Sequence, residues 1–332
     1  MRTLTLEQPG TFAWLDEPDG TEPGPGEAAV RVHRIGVCGT DLHAFRGRQP
    51  FFSYPRVLGH ELAVEVEAVG PDTDEDLVGK HCAVRPYIND SSSRASQRGK
   101  TNCCPSMRVL GVHSDGGMRP RFTLPAKLLH PVDSSTLSLD AMALAEPLAI
   151  GCHAVRRGAP TADDSVLVIG AGPIGLATMQ FAKRSCQSLT LLDLNEKRLA
   201  FCKERWAIDE TLTAIPEGRR FDCVFDATGS PGSMNTAFEY VDHGGRLIFV
   251  GLHTGEVTFH DPLFHSREMT LLASRNATAD DFGMVLDGLK DGSIDAEAMV
   301  TRKMGFSDLD ATFESLYEDP ELIKAVIEVE HA

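Results

Sequence analysis

The sequence predicts an α/β protein in which a β-rich region is joined to a doubly wound parallel sheet. Three observations predict this fold class. Short alternating strands fill about the first 140 residues, fully apolar strands then alternate with helices as far as about residue 275, and a glycine-rich turn joins the first apolar strand to its helix. With 332 residues, the chain is long enough for about two domains.

The first region is predicted to consist of short strands separated by turns. Residues 27–37 and 62–69 place apolar side chains at alternating positions, and 78–86 is a shorter strand candidate. A Pro-Gly-Pro-Gly run at 23–26 marks a turn, and the polar stretch 91–100 is expected to be an exposed loop. This pattern is typical of an all-β or barrel-like domain.

The pattern changes near residue 140, where a helix is predicted at 139–157. The apolar strands that follow are predicted at 165–169, 189–192, 223–226 and 247–251. Helices are predicted after the first two of these strands, and strand–helix alternation with apolar strands indicates a parallel, doubly wound sheet. After about residue 275, amphipathic helix and polar loop follow, a tail that would rejoin the first region.

Composition and charge limit the function classes. Acidic residues outnumber Lys and Arg by 48 to 32, giving a net charge of −16, which argues against nucleic acid or an anionic membrane surface as a partner. No run approaches the roughly 18 apolar residues of a membrane span, and the start lacks a secretory pattern. The eight cysteines are scattered, so reduced thiols and a cytoplasmic location are expected.

The turn after the first parallel strand carries a nucleotide-binding fingerprint. It reads Gly170, Ala171, Gly172, Pro173, Ile174, Gly175. Glycines there permit a tight turn and close approach of a pyrophosphate to the helix N-terminus. Asp193 ends the next strand, where a carboxylate accepts ribose hydroxyls and repels a 2′-phosphate, so NAD is preferred over NADP. Arg198 would lie near the same ribose. The alternative is a glycine turn unrelated to nucleotides, with Asp193 as a strand-end cap.

Three side chains supply one ligand of each kind that zinc accepts. These are the thiol of Cys38, the imidazole of His60 and the carboxylate of Glu146. Each alone has a simpler explanation, as a buried thiol, a hydrogen-bonded histidine and an acid in the first turn of a helix. Because the three are far apart in sequence, their spacing does not decide between the two interpretations.

Five motifs in order along the chain make it resemble the medium-chain zinc-dependent alcohol dehydrogenases, in the polyol and sugar-acid branch. They are Cys38-Gly39-Thr40-Asp41, Gly59-His60-Glu61, Asp115-Gly116-Gly117-Met118, Glu146-Pro147-Leu148-Ala149 and the glycine turn at 170–175. The resemblance implies a GroES-like catalytic domain at 1–148, an inserted Rossmann domain at 149–275 and a C-terminal return at 276–332, with the active site in the cleft between the domains.

The resemblance also implies roles for individual residues. Cys38, His60 and Glu146 would hold one catalytic zinc, and Glu61 would lie beside it, directly or through water. Asp41 would orient His60. Thr40 and His43 resemble the family's proton relay. Further cofactor contacts are expected from Val250, Gly251 and Arg275.

A second, structural zinc of the family is expected to be absent. Its four cysteine positions correspond here to Asp90, Ser93, Ser96 and Cys104, so only one thiolate ligand remains. Cys103 next to it does not restore a four-thiolate site. The sequence therefore predicts one zinc per chain.

The substrate is the least determined part of the sequence interpretation. Arg46, Arg48 and Phe51 lie in the loop before His60, and Arg119 and Arg275 are further candidates for pairing with a substrate carboxylate. The resemblance to sugar-acid members favours hydride transfer from a secondary alcohol of a polyol or hexonate to NAD. The alternative for each arginine is a solvated surface charge.

Other functions stay open at this point. A threonine-type or other secondary-alcohol dehydrogenase, a zinc-independent quinone or enoyl reductase, and a non-catalytic NAD-binding protein share parts of the pattern. The family suggests a homodimer or homotetramer acting on a small-molecule substrate.

Overall fold

The structure is a computed structural model that describes residues 1–18, 22–50, 52–133 and 135–330. The chain divides into unit 1, which comprises Met1–Glu146 and Thr278–Ala332, and unit 2, which comprises Pro147–Ala277. Within the described ranges, no helix combines the length and the apolar character needed to cross a membrane.

The strands and helices are named here in chain order. The strands are β1 (Arg2–Gln8), β2 (Thr11–Asp16), β3 (Glu27–Val37), β4 (Arg56–Val57), β5 (Glu61–Val69), β6 (His81–Val84), β7 (Tyr87–Ile88), β8 (Arg108–Val109), β9 (Arg121–Pro125), β10 (Leu129–Val132), β11 (Ser165–Ile169), β12 (Ser188–Leu192), β13 (Glu210–Leu212), β14 (Phe221–Asp226), β15 (Val241–Phe249), β16 (Thr270–Ala273), β17 (Val300–Gly305) and β18 (Lys324–Glu328). The α-helices are α1 (Gly39–Phe45), α2 (Arg94–Gln97), α3 (Leu139–Ala143), α4 (Ala145–Gly158), α5 (Pro173–Lys183), α6 (Glu196–Trp206), α7 (Pro231–Thr236), α8 (Asp261–Ser266), α9 (Ala279–Lys290) and α10 (Leu309–Thr312). Single 3-10 turns lie at Glu75–Leu77, Thr101–Cys103, Ala126–Leu128, Ala237–Tyr240, Glu297–Met299 and Phe313–Leu316.

Unit 1 is built on a mixed sheet with the strand order β10-β6-β5-β3-β18-β17, and β9 also pairs with β3. The alternating sequence of β3 buries Val30 and Val32 against the core of this unit, and Ile35 is buried after the register shift that follows Val32. The C-terminal strand β18 runs antiparallel to β3, with Ala325 opposite Val37. This pairing brings the end of the chain beside the residues that precede Cys38.

Unit 2 contains a parallel sheet with the strand order β13-β12-β11-β14-β15-β16. From β11, the chain first builds the sheet outward on one side through β12 and β13, and then on the other side through β14, β15 and β16. The point between β11 and β14 is therefore the topological switch point, where doubly wound folds bind dinucleotides. The glycine turn follows β11 at this point. A Cβ atom on Gly175 would overlap the carbonyl oxygen of Gly170, so the close approach of α5 to the turn requires glycine.

Two local differences from the sequence prediction have simple causes. The helix predicted at 139–157 is broken into α3 and α4 at Leu144, because Pro147 has no N–H to continue the hydrogen bonding of α3. The stretch 91–100, predicted as loop, contains the short helix α2. Ser93 caps it by accepting a hydrogen bond from the Ser96 N–H.

Candidate metal centre and dinucleotide site

The candidate metal centre lies in unit 1, where β3 ends and β5 begins. Cys38 follows β3 and is the N-terminal cap of α1, while His60 and Glu61 lie at the start of β5. Gly36 pairs with Glu61 in the sheet, so the two chain segments meet in register. One ligand atom each from Cys38, His60 and Glu61 lies within 4.8 Å of the other two. Thiol, imidazole and carboxylate are therefore brought together.

Glu146 lies in the first turn of α4 and is buried. Its Oε1 accepts a hydrogen bond from the Tyr87 hydroxyl. Its Oε2 is also buried and has no hydrogen-bond partner among the described residues. Glu146 is not in the 4.8 Å group, but its charge is one of the influences that raise the pKa of His60. A buried carboxylate oxygen without a partner is costly unless a donor or a cation compensates it.

Lys324, at the start of β18, holds the carboxylate of Glu61. Its Nζ donates to Glu61 Oε1 at 2.6 Å, to Glu61 Oε2 at 2.9 Å and to the carbonyl of Val37 at 3.1 Å. Lys324 is 2% exposed and Glu61 is 0% exposed, so this ion pair is fully buried. Burial works against the charged amine, but Glu61 and Cys38 raise the pKa of Lys324 above its ordinary value. The amine is therefore charged and orients Glu61.

Asp41, which lies on α1, contacts two of the candidate ligands, Cys38 and His60. Its Oδ2 accepts a hydrogen bond from the backbone N–H of Cys38 at 2.9 Å, and its Oδ1 lies 3.6 Å from Nδ1 of His60. Burial disfavours a charged His60, but the negative charges of Asp41 and Cys38 raise its pKa well above the usual value. Burial also raises the pKa of the Asp41 carboxyl. With Nδ1 facing Asp41, the other ring nitrogen of His60 is available as a ligand.

The centre contains more buried acids than bases. Asp41, Glu61 and Glu146 are buried carboxyl groups, and the buried amine of Lys324 is held by Glu61. Burial, together with Glu61, raises the pKa of Glu146 to about 7. A bound cation would offset the repulsion between these carboxyl groups, which contributes to the raised pKa of Glu146. Sulfur, nitrogen and oxygen ligands together suit zinc.

The candidate dinucleotide site lies in unit 2 at the N-terminus of α5. Gly172 is the N-terminal cap, makes no side-chain cap hydrogen bond, and has no atom within 4 Å of the place that a Cβ would take. The open space beside unpaired helix N–H groups is what a pyrophosphate requires. Asp193 closes β12, where its Oδ2 accepts from the Ala171 N–H at 2.6 Å and its Oδ1 accepts from Asn195 N–H at 2.8 Å. The carboxylate is thus fixed beside the glycine turn.

Other predicted cofactor residues occupy neighbouring loops of unit 2. The N–H groups of Val250 and Gly251 both donate to the carbonyl of Asp226, which ends β14. Arg198 lies in the first turn of α6, and Arg275 follows β16 and is exposed. These residues lie after the carboxyl ends of parallel strands, or at the start of the helix that follows, where doubly wound folds bind their ligands.

Comparison with known proteins identifies the family. Residues 24–134 match the model of the alcohol dehydrogenase GroES-like domain, and residues 173–291 match that of the zinc-binding dehydrogenases. L-galactonate-5-dehydrogenase of Escherichia coli (strain K12) is 39% identical, with 98% of both chains covered. The chain belongs to the medium-chain zinc-dependent alcohol dehydrogenases. It lies in their polyol and sugar-acid branch, and the predicted fold class is confirmed.

Two further relatives agree with this assignment. L-idonate 5-dehydrogenase of Vitis vinifera is 29% identical, with 91% of this chain and 88% of that chain covered. The crystal structure of the alcohol dehydrogenase rspB from Escherichia coli CFT073, complexed with NADH, superposes with a TM-score of 0.90 at 28% identity over 99% of both chains. The chain is therefore an oxidoreductase that uses a nicotinamide dinucleotide and acts on a small molecule.

The predicted relay residues of this dehydrogenase lie on one helix. Thr40 and His43 are three residues apart on α1, and residues at this spacing share a helix face. Thr40 is half-buried and His43 is exposed. The helix that Cys38 caps therefore carries both a half-buried hydroxyl and an exposed imidazole.

Three of the four predicted substrate arginines lie in two places in unit 1, whereas Arg275 lies in unit 2. Arg46 contacts Glu314 at 3.1 Å and stacks on the ring of Tyr317, and Arg48 donates to the Tyr317 hydroxyl at 3.0 Å. Arg119 lies elsewhere, donating to the carbonyl of Gly116 at 3.0 Å and lying over an aromatic ring. Phe51, the other predicted residue of this loop, lies outside the described residues.

The segment predicted to lack a structural zinc holds Cys104 beside two serines. Cys104 Sγ accepts from the Asp90 N–H at 3.3 Å and lies 3.4 Å from the Ser106 hydroxyl, while the hydroxyls of Ser93 and Ser96 are 2.9 Å apart. Hydrogen bonds from Ser106 and Ser93 lower the pKa of the Cys104 thiol to about 7. One thiolate with two serines does not make a structural zinc site, which uses four ligands, mostly thiolates.

Sequence reasoning missed Lys324 and Tyr87. The only signal for Lys324 is a lysine at the start of the apolar run Ala325-Val326-Ile327. Tyr87 follows a short strand candidate and has no motif of its own. Both are found only through the tertiary contacts that they make with Glu61 and Glu146.

Proposed function

We propose that this dehydrogenase oxidises a secondary alcohol of a sugar acid or polyol, with NAD as the hydride acceptor and one zinc ion per chain. The observation that carries the proposal is the group of ligand atoms from half-buried Cys38 and buried His60 and Glu61, together with the unpaired, buried Oε2 of Glu146. A zinc ion there would polarise the alcohol oxygen as a Lewis acid and lower the pKa of its hydroxyl. NAD supplies the hydride acceptor.

Cys38, His60 and Glu146 are proposed to hold the zinc, with Glu61 beside it. Lys324 already donates to both carboxylate oxygens of Glu61, whereas Glu146 keeps one oxygen without a partner. This difference supports Glu146 as the third ligand. Asp41 orients the His60 ring and the Cys38 backbone, as the partners of zinc ligands do in other proteins.

Thr40 and His43 are proposed to carry the proton released from the alcohol. The Thr40 hydroxyl takes the proton inside the site, and the exposed His43 ring delivers it to solvent. Histidine suits the last step because its ordinary pKa lies near neutral pH.

Asp193 supports NAD rather than NADP. Its carboxylate is fixed by the N–H groups of Ala171 and Asn195 beside the glycine turn, and a fixed negative charge there would repel a 2′-phosphate. Unit 2 is accordingly proposed as the nucleotide-binding domain and unit 1 as the catalytic domain. A homodimer or homotetramer is the proposed assembly.

A hexonate is the proposed substrate. The support is the 39% identity to L-galactonate-5-dehydrogenase of Escherichia coli and the arginines that a carboxylate could contact. Arg48 has guanidinium donors beyond its single hydrogen bond to Tyr317. A local cation is needed because the net charge of −16 disfavours the approach of an anion.

The test is NADH formation measured by absorbance with a panel of aldonates, polyols and L-threonine, with and without a zinc chelator. We expect turnover of an aldonate or polyol that the chelator abolishes. Cys38→Ser should lose both turnover and bound zinc, whereas Cys103→Ser, which changes an exposed cysteine, should keep both. Thr40→Ala should slow turnover severely while zinc stays bound.

Other outcomes of the same assay contradict the proposal in distinct ways. NADPH consumption that the chelator leaves unchanged would identify a zinc-independent reductase. Turnover of L-threonine and of no other compound in the panel would show that the substrate is an amino alcohol rather than a sugar acid. Full activity of Thr40→Ala at neutral pH would contradict the proposed proton relay through Thr40 and His43. NAD binding without turnover of any member of the panel would favour a non-catalytic role.

A further inference from the structure

A second group of metal-ligand side chains lies on the sheet of unit 1, apart from the catalytic candidates. It consists of His33 on β3, Glu65 on β5 and His81 on β6, all half-buried. One ligand atom of each lies within 4.8 Å of those of the other two. Two imidazoles and a carboxylate are a ligand set for a divalent transition metal.

The backbone explains why three neighbouring strands present these side chains together. Glu65 pairs directly with His81 across β5 and β6. Between β3 and β5 the register shifts between Val32 and Arg34, so His33 is the extra residue of a β-bulge. His33 still follows the alternation of β3, so its side chain lies on the same half-buried face as Arg31, which pairs with Glu65 in the sheet. The juxtaposition is therefore built into the sheet.

The spacings suit a metal ion. His33 Nε2 lies 3.1 Å from Glu65 Oε2, and the rings of His33 and His81 are 5.4 Å apart between centroids. Ligands at zinc–nitrogen and zinc–oxygen distances of roughly 2.0–2.2 Å in tetrahedral geometry are separated by roughly 3.3 Å. Because all three ligand atoms lie within 4.8 Å of one another, we expect side-chain rotation to bring them to that separation around an ion, with water in the open positions.

One neighbouring charge opposes a cation. Arg31 Nη1 lies 3.8 Å from Glu65 Oε2. Arg31 makes its shorter contacts with Glu67, through Nη2 at 2.5 Å and through Nε at 2.7 Å. Glu65 is therefore only the secondary partner of Arg31, and its carboxylate remains available to the two histidines.

We propose that His33, Glu65 and His81 form a second metal site, which binds a divalent transition metal of the Zn²⁺ or Ni²⁺ kind reversibly. Three protein ligands on a partly exposed sheet, with Arg31 nearby, bind more weakly than a buried centre. Metal at this site is thus removed by dialysis, whereas catalytic zinc survives purification. A bound ion would join β3, β5 and β6 and raise the thermal stability of unit 1.

The test is titration of the purified holoenzyme with Zn²⁺ by isothermal titration calorimetry, repeated with Ni²⁺. We expect one additional equivalent per chain in the wild type. The variants His33→Gln and His81→Gln should each bind that equivalent at least tenfold more weakly. Cys38→Ser, which alters the catalytic candidate, should still bind it. His243→Gln, which changes an exposed histidine of unit 2, is the matched control and should bind as the wild type does.

Two further measurements separate metal binding from a purely structural role of the cluster. Arg31→Gln should bind Zn²⁺ more tightly, because it removes the cation 3.8 Å from Glu65. Added Zn²⁺ should raise the melting temperature of the wild type and not that of His81→Gln, whose melting in chelator reports whether it folds. No additional equivalent in the wild type, or equal binding by the wild type and both histidine variants, would overturn the proposal. Catalytic turnover is not used as a readout.

Discussion

The buried ion pair between Lys324 and Glu61 gives the sharpest prediction about stability. Lys324→Met removes the amine that donates to both oxygens of Glu61 at 2.6 and 2.9 Å and leaves a carboxylate that is 0% exposed without its cation. Breaking a buried pair from one side costs about 3–5 kcal/mol. We expect a loss of that size in the free energy of unfolding of unit 1, which lowers the urea midpoint by about 1–1.7 M at a slope of about 3 kcal/mol/M.

The assay uses the two tryptophans, of which Trp14 lies in unit 1 and Trp206 in unit 2. In a Trp206→Phe background, the fluorescence of Trp14 reports the unfolding of unit 1. The matched control is Lys303→Met, which breaks an ion pair with Asp140 at 2.5 Å but changes a lysine that is 54% exposed. Lys303→Met should lower the free energy of unfolding by less than about 1 kcal/mol.

A double variant isolates the pair. The double variant Lys324→Met/Glu61→Gln removes both buried charges. Its loss in free energy of unfolding should therefore be smaller than the sum of the losses of the two single variants, with a coupling energy of at least about 1 kcal/mol. A loss below about 1 kcal/mol for Lys324→Met alone, or additive costs in the double variant, would refute the reasoning that Lys324 neutralises Glu61.

Three further predictions follow from the structure. Burial and the nearby Arg85 lower the pKa of His130 to about 4. As the pH falls below about 6.5, His130 is therefore protonated in the unfolded state but stays neutral in the folded state. Stability should fall by about 3 kcal/mol as the pH drops from 6.5 to 4, and His130→Leu should flatten this decline in acid-denaturation curves where His243→Leu does not. Asp193→Ala should lower the ratio of the kcat/KM values for NAD and NADP at least tenfold, and an unchanged ratio would contradict the role of this carboxylate. Metal analysis after dialysis should find one zinc per chain in the wild type and in Cys104→Ser, and two retained zinc ions would contradict the single tight site.

The fold class could be predicted because its signals are local. Apolar strands alternating with helices, and a glycine turn after the first of them, require only neighbouring residues to be interpreted, and the parallel sheet of unit 2 agrees with them. The break at Leu144 could not be located because the apolar periodicity continues through it. Proline at 147 was the available signal.

The surroundings of the candidate metal centre could not be predicted because they depend on distant pairing. Lys324 lies 263 residues from Glu61 in the chain, and only the pairing of β18 with β3 brings it into the interior. A lysine at the first position of a strand is normally a surface residue, so the residue type alone predicts exposure for Lys324. Tyr87 is 59 residues from Glu146 and was overlooked for the same reason.

The two buried glutamates of the centre differ in what they can still bind. Glu61 receives two hydrogen bonds from Lys324, so binding a metal would require it to share or lose a charged partner. Glu146 receives one hydrogen bond from Tyr87, and its second oxygen has no partner within the described part of the chain. Since an unpaired buried carboxylate oxygen is costly, a cation gains more from Glu146 than from Glu61. We therefore expect Glu146 rather than Glu61 to bind the metal, because Lys324 already occupies both oxygens of Glu61.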